Sequence, residues 1–588
     1  MPTQSSTRHR EPANGIPHFK VVVIGAGFGG IGMAVALKHA GTENFTILDS
    51  GNTVGGVWRD NTYPDCNCDV PSHLYSFSFA PYRDRRTRYP GQPEILAYLQ
   101  NVVSEHGLEP HLQLNTAINE ATYLDTEGSW WLTTTSGHNI VAEVVVFAVG
   151  QLHHPHIPEF PGQSEFSGPA FHSARWDHDQ DLHGLDIAVV GTGSSAAQLV
   201  PALAGLARTV RVFQRTPNWV LPKPATHFGP LARIALAVPF GHKIYRHALA
   251  FASDAVLAPI MRRGWSARPA EWAARRYLRR RISDPVLRVK LTPDYPIGGK
   301  RILIDSGYYH ALNEPNVELI TDPITNITTT GIQTADNRHH HADAIIYATG
   351  FRASEFLGPM MVRGQRGAML HEQWRSGATA LLGTAVPKFP NLFMIAGPNT
   401  FTPAGSNPQM KEHQIEFIMR CLRWRERIGA PAIGVDPAAL QTLQEHVERA
   451  VLKTVWPSTP SWYWHSSGRI TNPWPASVRA YRRALNGAPT NWFRPAPVGW
   501  KAFENQLSAP AGCLDREQAR ASAPSSTQRW GPCAEIARHA AIKDVRWKVP
   551  AGAISRDQPG TCPAASGPGH QVRLRRPSAG GLPSFRSS

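Results

Sequence analysis

Apolar positions along the chain fall into a recurring pattern of strand, glycine turn and helix. In FKVVVIGAGFGG, Phe19 to Gly30, an unbroken apolar run enters a glycine turn, and IGMAVALKHAG then reads as a helix ending at Gly41. FTILDS supplies a second strand ending in Asp49. Between Ala121 and Val149, ATYLDTEGSWWLTTT and HNIVAEVVVFAVG are β-branched runs joined through Ser136 and Gly137, which predicts inserted antiparallel strands. DIAVVGTGSSAAQLVPAL, Asp186 to Leu203, repeats the strand, turn and helix. Residues 228–289 are rich in Ala, Leu and Arg, and RPAEWAARRYLRRRI has helical spacing with a basic face, which reads as a helical subdomain with a solvated face or, as the alternative, a membrane-surface helix. ADAIIYATGF at Ala342 to Phe351 and FPNLFMIAGPNT at Phe389 to Thr400 return to strand, and organised sequence is expected to end near Ala484.

The repeat predicts an α/β chain with two Rossmann-like dinucleotide-binding domains, each in two pieces. The expected boundaries are 17–150 and 353–490 for the first domain, 151–225 and 296–352 for the second, and 226–295 for a helical insertion. Residues 491–588 form a low-complexity basic tail, expected to be disordered.

Composition sharpens this picture. At 588 residues and 42% hydrophobic content the chain is long enough for more than one core. Six cysteines, at 66, 68, 421, 513, 533 and 562, are too sparse and uneven for a disulfide framework, so reduced thiols are expected. Without a signal peptide or an apolar run of spanning length, a soluble cytoplasmic protein follows. The net charge of +16 raises nucleic acid as a partner, but about half of the excess lies after Asn491, where about 14 Lys or Arg face about 6 acidic residues. No nucleic-acid partner and no membrane span are therefore expected.

Gly25, Gly27 and Gly30 satisfy GxGxxG directly after a strand, with Phe28 and Gly29 in the turn and Asp49 one strand later. Such glycines allow close pyrophosphate approach, and the carboxylate accepts from ribose hydroxyls, which points to a dinucleotide; set beside a second cradle of opposite charge preference, it suggests one chain holding FAD and NADPH together. The second cradle has Gly191, Thr192, Gly193, Ser194 and Ser195, with Ala196 in the third glycine position. Its next strand ends in Gln214, Arg215 and Thr216. An arginine in place of the acid favours a 2′-phosphate, hence NADPH. The alternative for Arg215 is an ordinary surface arginine.

FSGPAFHSARWD, Phe166 to Asp177, lies between the cradles and matches neither the helix nor the strand period. Phe166, Gly168, His172, Trp176 and Asp177 fill every fixed position of FxGxxxHxxxW(P/D), and here the chain resembles the type I Baeyer-Villiger monooxygenases, the family of the 4-hydroxyacetophenone and cyclohexanone monooxygenases. GGVW (55–58), YPDCNCDVPSHLYSFSF (63–79), GKRILIDSGYY (299–309), ATGF (348–351), GPNT (397–400) and SWYWHSSGR (461–469) are similar to family segments, although Asp65 replaces a usual glycine.

The resemblance implies an enzyme that inserts one atom of dioxygen into a ketone to give an ester or lactone, through NADPH-reduced FAD and a peroxyflavin. It implies Arg301 as the active-site arginine, Asp69 as the carboxylate orienting it, and Lys300 as a ligand of the 2′-phosphate. Without the family context, Lys300 and Arg301 read as a solvated basic pair. Val57, Trp58, Asp69 and Tyr75 are expected around the flavin, and Asn67, Cys68 and Trp462 on the nicotinamide side. Packing alone is the other reading of Tyr75 and Trp462. The fingerprint is expected to be a hinge whose rings and Asp177 anchor its two ends.

Two other functions stay open at this level: N- or S-oxygenation by the same cofactor, and nucleotide binding without turnover. A redox pair from Cys66 and Cys68 is not expected. HHPH (153–156) and HHH (339–341) lack a matched Cys or carboxylate set, so no metal is expected.

Overall fold

The computed structural model describes residues 15–499. Along the chain, strand β1 (His18–Ile24) enters helix α1 (Phe28–His39) through the first glycine turn, and β2 (Phe45–Leu48) and the short β3 (Leu112–Gln113) follow. The strands β4 (Ile118–Leu124), β5 (Ser129–Thr134) and β6 (Asn139–Phe147) form the expected antiparallel meander. ATYLDTEGSWWLTTT is itself a hairpin that sets Tyr123 opposite Trp130, with Gly128 at φ +71° in its turn. Strand β6 then runs parallel to β1.

The second unit contains β7 (Ala170–His172), β8 (Asp186–Val190), α2 (Ser194–Ala204) and β9 (Thr209–Phe213). Three helices follow, α3 (Pro230–Ala237), α4 (Gly241–Ala252) and α5 (Ala267–Arg281), and the chain returns through β10 (Val317–Ile320) and β11 (Ala344–Tyr347). It closes on the first sheet with β12 (Met361–Arg363), β13 (Leu392–Met394) and the long helix α6 (Asn407–Arg427).

The first sheet has the order β12-β4-β5-β6-β1-β2-β3, with β13 also paired to β6. The second has the order β10-β9-β8-β11-β7 and is parallel throughout. In each, the strand that enters the glycine turn lies between the next strand on one side and a later one on the other. That is the switch point outside which doubly wound sheets bind ligands. One hydrophobic cluster runs from Val23 and Ile47 through Trp58 and Tyr63 to Ala197 and Leu199, so the two sheets share a core.

Two expectations change. The fingerprint is not outside regular structure: Ala170–His172 is a strand, and His172 pairs with Tyr347 at the edge of the second sheet. Three residues are too few to show a period, so only the pairing partner reveals it. The segment assigned to the tail begins with structure, because Phe493–Pro495 pairs antiparallel with Ile433–Val435 and Phe493 is buried. Residues 500–588 of the expected tail lie outside the described residues. No helix among the described residues is long and apolar enough to cross a membrane.

Candidate active site

The two cradles repeat one piece of geometry. Gly25 has φ +107°, and a Cβ there would stand 2.7 Å from the Ala148 carbonyl oxygen. Gly191 has φ +113°, and its Cβ would stand 2.4 Å from that of Ala348. A side chain at either position is excluded by conformation and by space. At Gly30 a Cβ would fall 1.7 Å from the Gly25 oxygen, so this glycine lets helix and turn close on each other. Ala196 occupies the equivalent place in the second cradle without exposure. Nothing lies within 4 Å of a Cβ built at Gly193, which leaves that turn open to a ligand's phosphates.

Asp49 is held by the protein itself. Its carboxylate accepts from the Ala26 amide at 2.6 Å and the Gly51 amide at 2.8 Å, and it pairs with Arg59 Nη1 at 2.5 Å. Among these three protein donors it braces the glycine loop and keeps acceptor capacity on its oxygens. Phe28 is spent in packing, with its ring 5.3 Å from Tyr75 and 5.1 Å from Phe77. Gly29 sits against Ile395, and Gly27 faces Gly56, so Val57 and Trp58 abut the first cradle. Trp58 Nε1 donates to the Tyr75 hydroxyl at 3.2 Å.

In the second cradle, the Thr192 hydroxyl donates to Thr216 O at 3.2 Å. Lys300 Nζ donates to Thr216 Oγ1 at 2.5 Å. Burial lowers the Lys300 pKa and repulsion from Arg215 adds to the effect. Among the described residues neither Lys300 nor Arg215 forms a salt bridge, and only the more distant attraction of Asp294 opposes the fall in the Lys300 pKa, which suits the place to an anion such as a 2′-phosphate.

The central feature is the pair Arg301 and Asp69. Arg301 Nη2 donates to both Asp69 oxygens, at 2.6 and 2.7 Å. Burial opposes the arginine charge, and the attraction and hydrogen bonds of Asp69 outweigh it and raise its pKa above the ordinary value. The guanidinium also lies 5.9 Å from the Phe401 ring, and Trp462 packs edge-on against the same ring at 5.0 Å.

Around this pair stand residues that sequence reasoning missed. Lys223 Nζ donates to Asn67 Oδ1 at 2.5 Å and lies 4.8 Å from the Tyr89 ring. Burial lowers its pKa against the attraction of Cys68, Asp305 and Asp69. Gln198 of α2 accepts from the Tyr63 hydroxyl and the Asn67 amide and donates to the Asn67 carbonyl at 2.9 Å. The fully buried Tyr463 has no hydrogen-bond partner for its hydroxyl among the described residues. Its position in SWYWHSSGR was the one available signal.

Asp65 explains its own oddity: at φ +58° it occupies the left-handed conformation in which a glycine is most at ease and an aspartate is tolerated. The Cys66 thiol is pushed up to about 11 by burial, and Cys68 is raised further by burial and by Asp69. Neither is an activated thiolate at neutral pH.

The fingerprint residues divide by role. A Cβ on Gly168 would stand 2.2 Å from the Asp343 oxygen. His172 is buried, its Nδ1 accepts from the Ala174 amide at 3.0 Å, and burial lowers its pKa to about 4. Trp176 packs edge-on against Phe171. Asp177 accepts from the Asp179 amide, a local turn bond and not the expected anchor. The tie to the flavin-side loop is made next door, between His178 Nε2 and the Thr62 hydroxyl at 2.8 Å.

At the histidine run, the expectation of no carboxylate partner needs correction. Asp186, His341 and Asp343 bring their ligand atoms within 4.8 Å of one another. Arg208 and Arg211 already pair with Asp186, and Asp343 accepts from the Asp186 amide, so the cluster is an ion-pair network.

Comparison with known proteins agrees with this geometry. Residues 22–237 match the model of the pyridine nucleotide-disulphide oxidoreductase family. A Baeyer-Villiger monooxygenase of Streptomyces coelicolor is 39% identical over 504 residues, covering 84% of this chain and 97% of its own. The structure of cyclohexanone monooxygenase from Rhodococcus sp. Phi1 bound to NADP+ superposes with a TM-score of 0.73 at 29% identity, over 82% of this chain and 99% of that one. OTEMO in complex with FAD and NADP gives a TM-score of 0.74 at 26% identity, over 82% and 100%. By sequence along nearly the whole of its relatives' length, the chain belongs to the Baeyer-Villiger monooxygenase family.

Proposed function

We propose that Arg301, fixed by Asp69, is the charge around which this enzyme inserts oxygen into a ketone to form an ester or lactone. The chain is an NADPH-dependent flavoprotein monooxygenase, and FAD, when bound and reduced, supplies the activation of dioxygen. The residues present fit both cofactors: the glycine turn at Gly25 to Gly30 for FAD, and the open Gly193 turn with Arg215, Thr216 and Lys300 for NADPH. The sheet of β1 to β6, β12 and β13 would hold the first and the sheet of β7 to β11 the second.

One observation carries the catalytic reading: the Arg301 and Asp69 contact. Asp69 engages a single terminal nitrogen. Among the described residues no protein acceptor holds Arg301 Nε or Nη1, so part of the fork stays directed to a reacting oxygen. A permanent cation in a site poor in water stabilises negative charge developing on the substrate carbonyl oxygen without reorganising in the reaction. Lys223 and Asn67 carry this frame to the nicotinamide side, and the unpartnered Tyr463 hydroxyl offers a donor near the same arginine.

A panel of aryl, cyclic and linear ketones, scored for ester by mass with NADPH consumption and peroxide release followed in parallel, tests the reading. The expected result is ester formed in step with NADPH on at least one class. Oxidation of sulfides or amines with no ester from any ketone would transfer the protein to the N- or S-oxygenating alternative.

A further inference from the structure

We infer that the hairpin of α3 and α4 is a membrane-docking device that seats the enzyme on an anionic lipid surface. Leu231, Ile234, Val238, Phe240, Ile244 and Phe251 are each more than half exposed. Leu231 and Ile234 stand three apart on α3, Ile244 and Phe251 seven apart on α4, and Val238 and Phe240 lie in the turn between the two helices. Scattered exposed apolar residues are ordinary, but six on two helices and the turn that joins them form a patch.

The inner side of the hairpin is fixed, so the outer face is held outward. Arg246 Nη1 donates to the carbonyls of His73 and Ser76 at 2.9 and 2.8 Å, and its Nη2 donates to Glu412 at 3.1 Å. The Tyr245 ring packs edge-on against His73 and Phe228. His73 and Ser76 belong to the loop that also carries Asp69, so the hairpin is clamped to the candidate active site.

Charge identifies the occupant. The hairpin segment, residues 228–252, holds three Lys or Arg and no acidic residue. Lys243 Nζ lies 5.5 Å from the Phe240 ring, which sets a cation at the apolar tip. A second copy of this surface would repel it. The chain's own segment 500–588, with thirteen Lys or Arg against six acidic residues, carries the same sign. An apolar face with a cation at its tip and no acidic residue on its own segment is what the interface of an anionic bilayer accepts. Seated there, the site draws on ketones that partition into lipid.

Co-sedimentation of the full chain with vesicles of phosphatidylcholine alone, and of phosphatidylcholine with phosphatidylglycerol, tests this. Binding to the anionic vesicles is expected, with affinity falling about tenfold or more in L231S/I234S/F251S while melting temperature and flavin content are kept. If the triple variant does not fold, Lys243→Glu alone is expected to weaken anionic binding by a smaller factor. No binding to anionic vesicles, or equal binding by wild type and variants, overturns the inference. So does wild-type self-association that the triple variant abolishes in sedimentation velocity, because the patch is then an interface between copies.

Discussion

Arg301 meets Asp69 through one nitrogen: Nη2 donates to both carboxylate oxygens, at 2.6 and 2.7 Å, across 232 residues of sequence. This asymmetry separates holding from acting. Arg301→Ala should leave flavin bleaching by NADPH intact and lower ester formation at least about a hundredfold, the loss typical of a charge-stabilising donor. Stopped-flow absorbance and product mass read the two halves separately. Ester yield at the wild-type level would remove Arg301 from the mechanism.

Lys300 is the neighbour with a different partner. Removing it in Lys300→Ala frees Thr216 Oγ1 and relieves the repulsion from Arg215, so the loss should appear only with the phosphorylated cofactor. KM for NADPH is expected to rise roughly tenfold or more, with KM for NADH nearly unchanged. Steady-state kinetics with both cofactors decides it, and equal effects on the two would point to a general distortion.

Acid should unfold the protein through buried histidines. His172 and His73 are held neutral, with pKa values lowered by burial from 6.5 to about 4. Between those values the unfolded chain binds the proton and the folded one does not. Stability is therefore full above pH 6.5 and falls as pH drops toward 4, by up to about 3 kcal/mol for each histidine. Urea unfolding across this range should show the slope, and His172→Gln should flatten it. A slope identical in wild type and variant would show that other groups set the acid limit.

The fingerprint glycine is a packing requirement. Gly168→Ala places a methyl group 2.2 Å from the Asp343 carbonyl oxygen, where only backbone movement makes room. A loss of about 2 kcal/mol or more is expected, read as a lower melting temperature. An unchanged melting temperature would mean that the edge strand shifts freely.

The legible part of this protein was what local sequence enforces. Both cradles, the strands entering them and the meander were readable because apolar runs, β-branched residues and glycines act over a few positions. The Arg301 and Asp69 pair became visible only through family resemblance, since nothing local ties residues so far apart. Gln198 and Lys223 stayed hidden because their partners are backbone groups and an amide on a distant loop, which carry no sequence signature. The bracing of Asp49 was hidden for a related reason: the motif predicts an acid there, but not that Arg59 reaches it from ten residues away. The strands at Ala170–His172 and Phe493–Pro495 are three residues long and are defined by their neighbours.

Gln198 gives the joint between the two sheets an unusual character. Its carboxamide accepts from the Asn67 amide and donates to the Asn67 carbonyl, imitating a peptide group on a strand that is not there. A true strand parts only by unzipping several rungs together. A single side chain lets go by turning about its own bonds. The loop of Asn67 and the helix of Gln198 can thus be registered as strictly as neighbours in a sheet, and yet this one contact lets go in a single rotation.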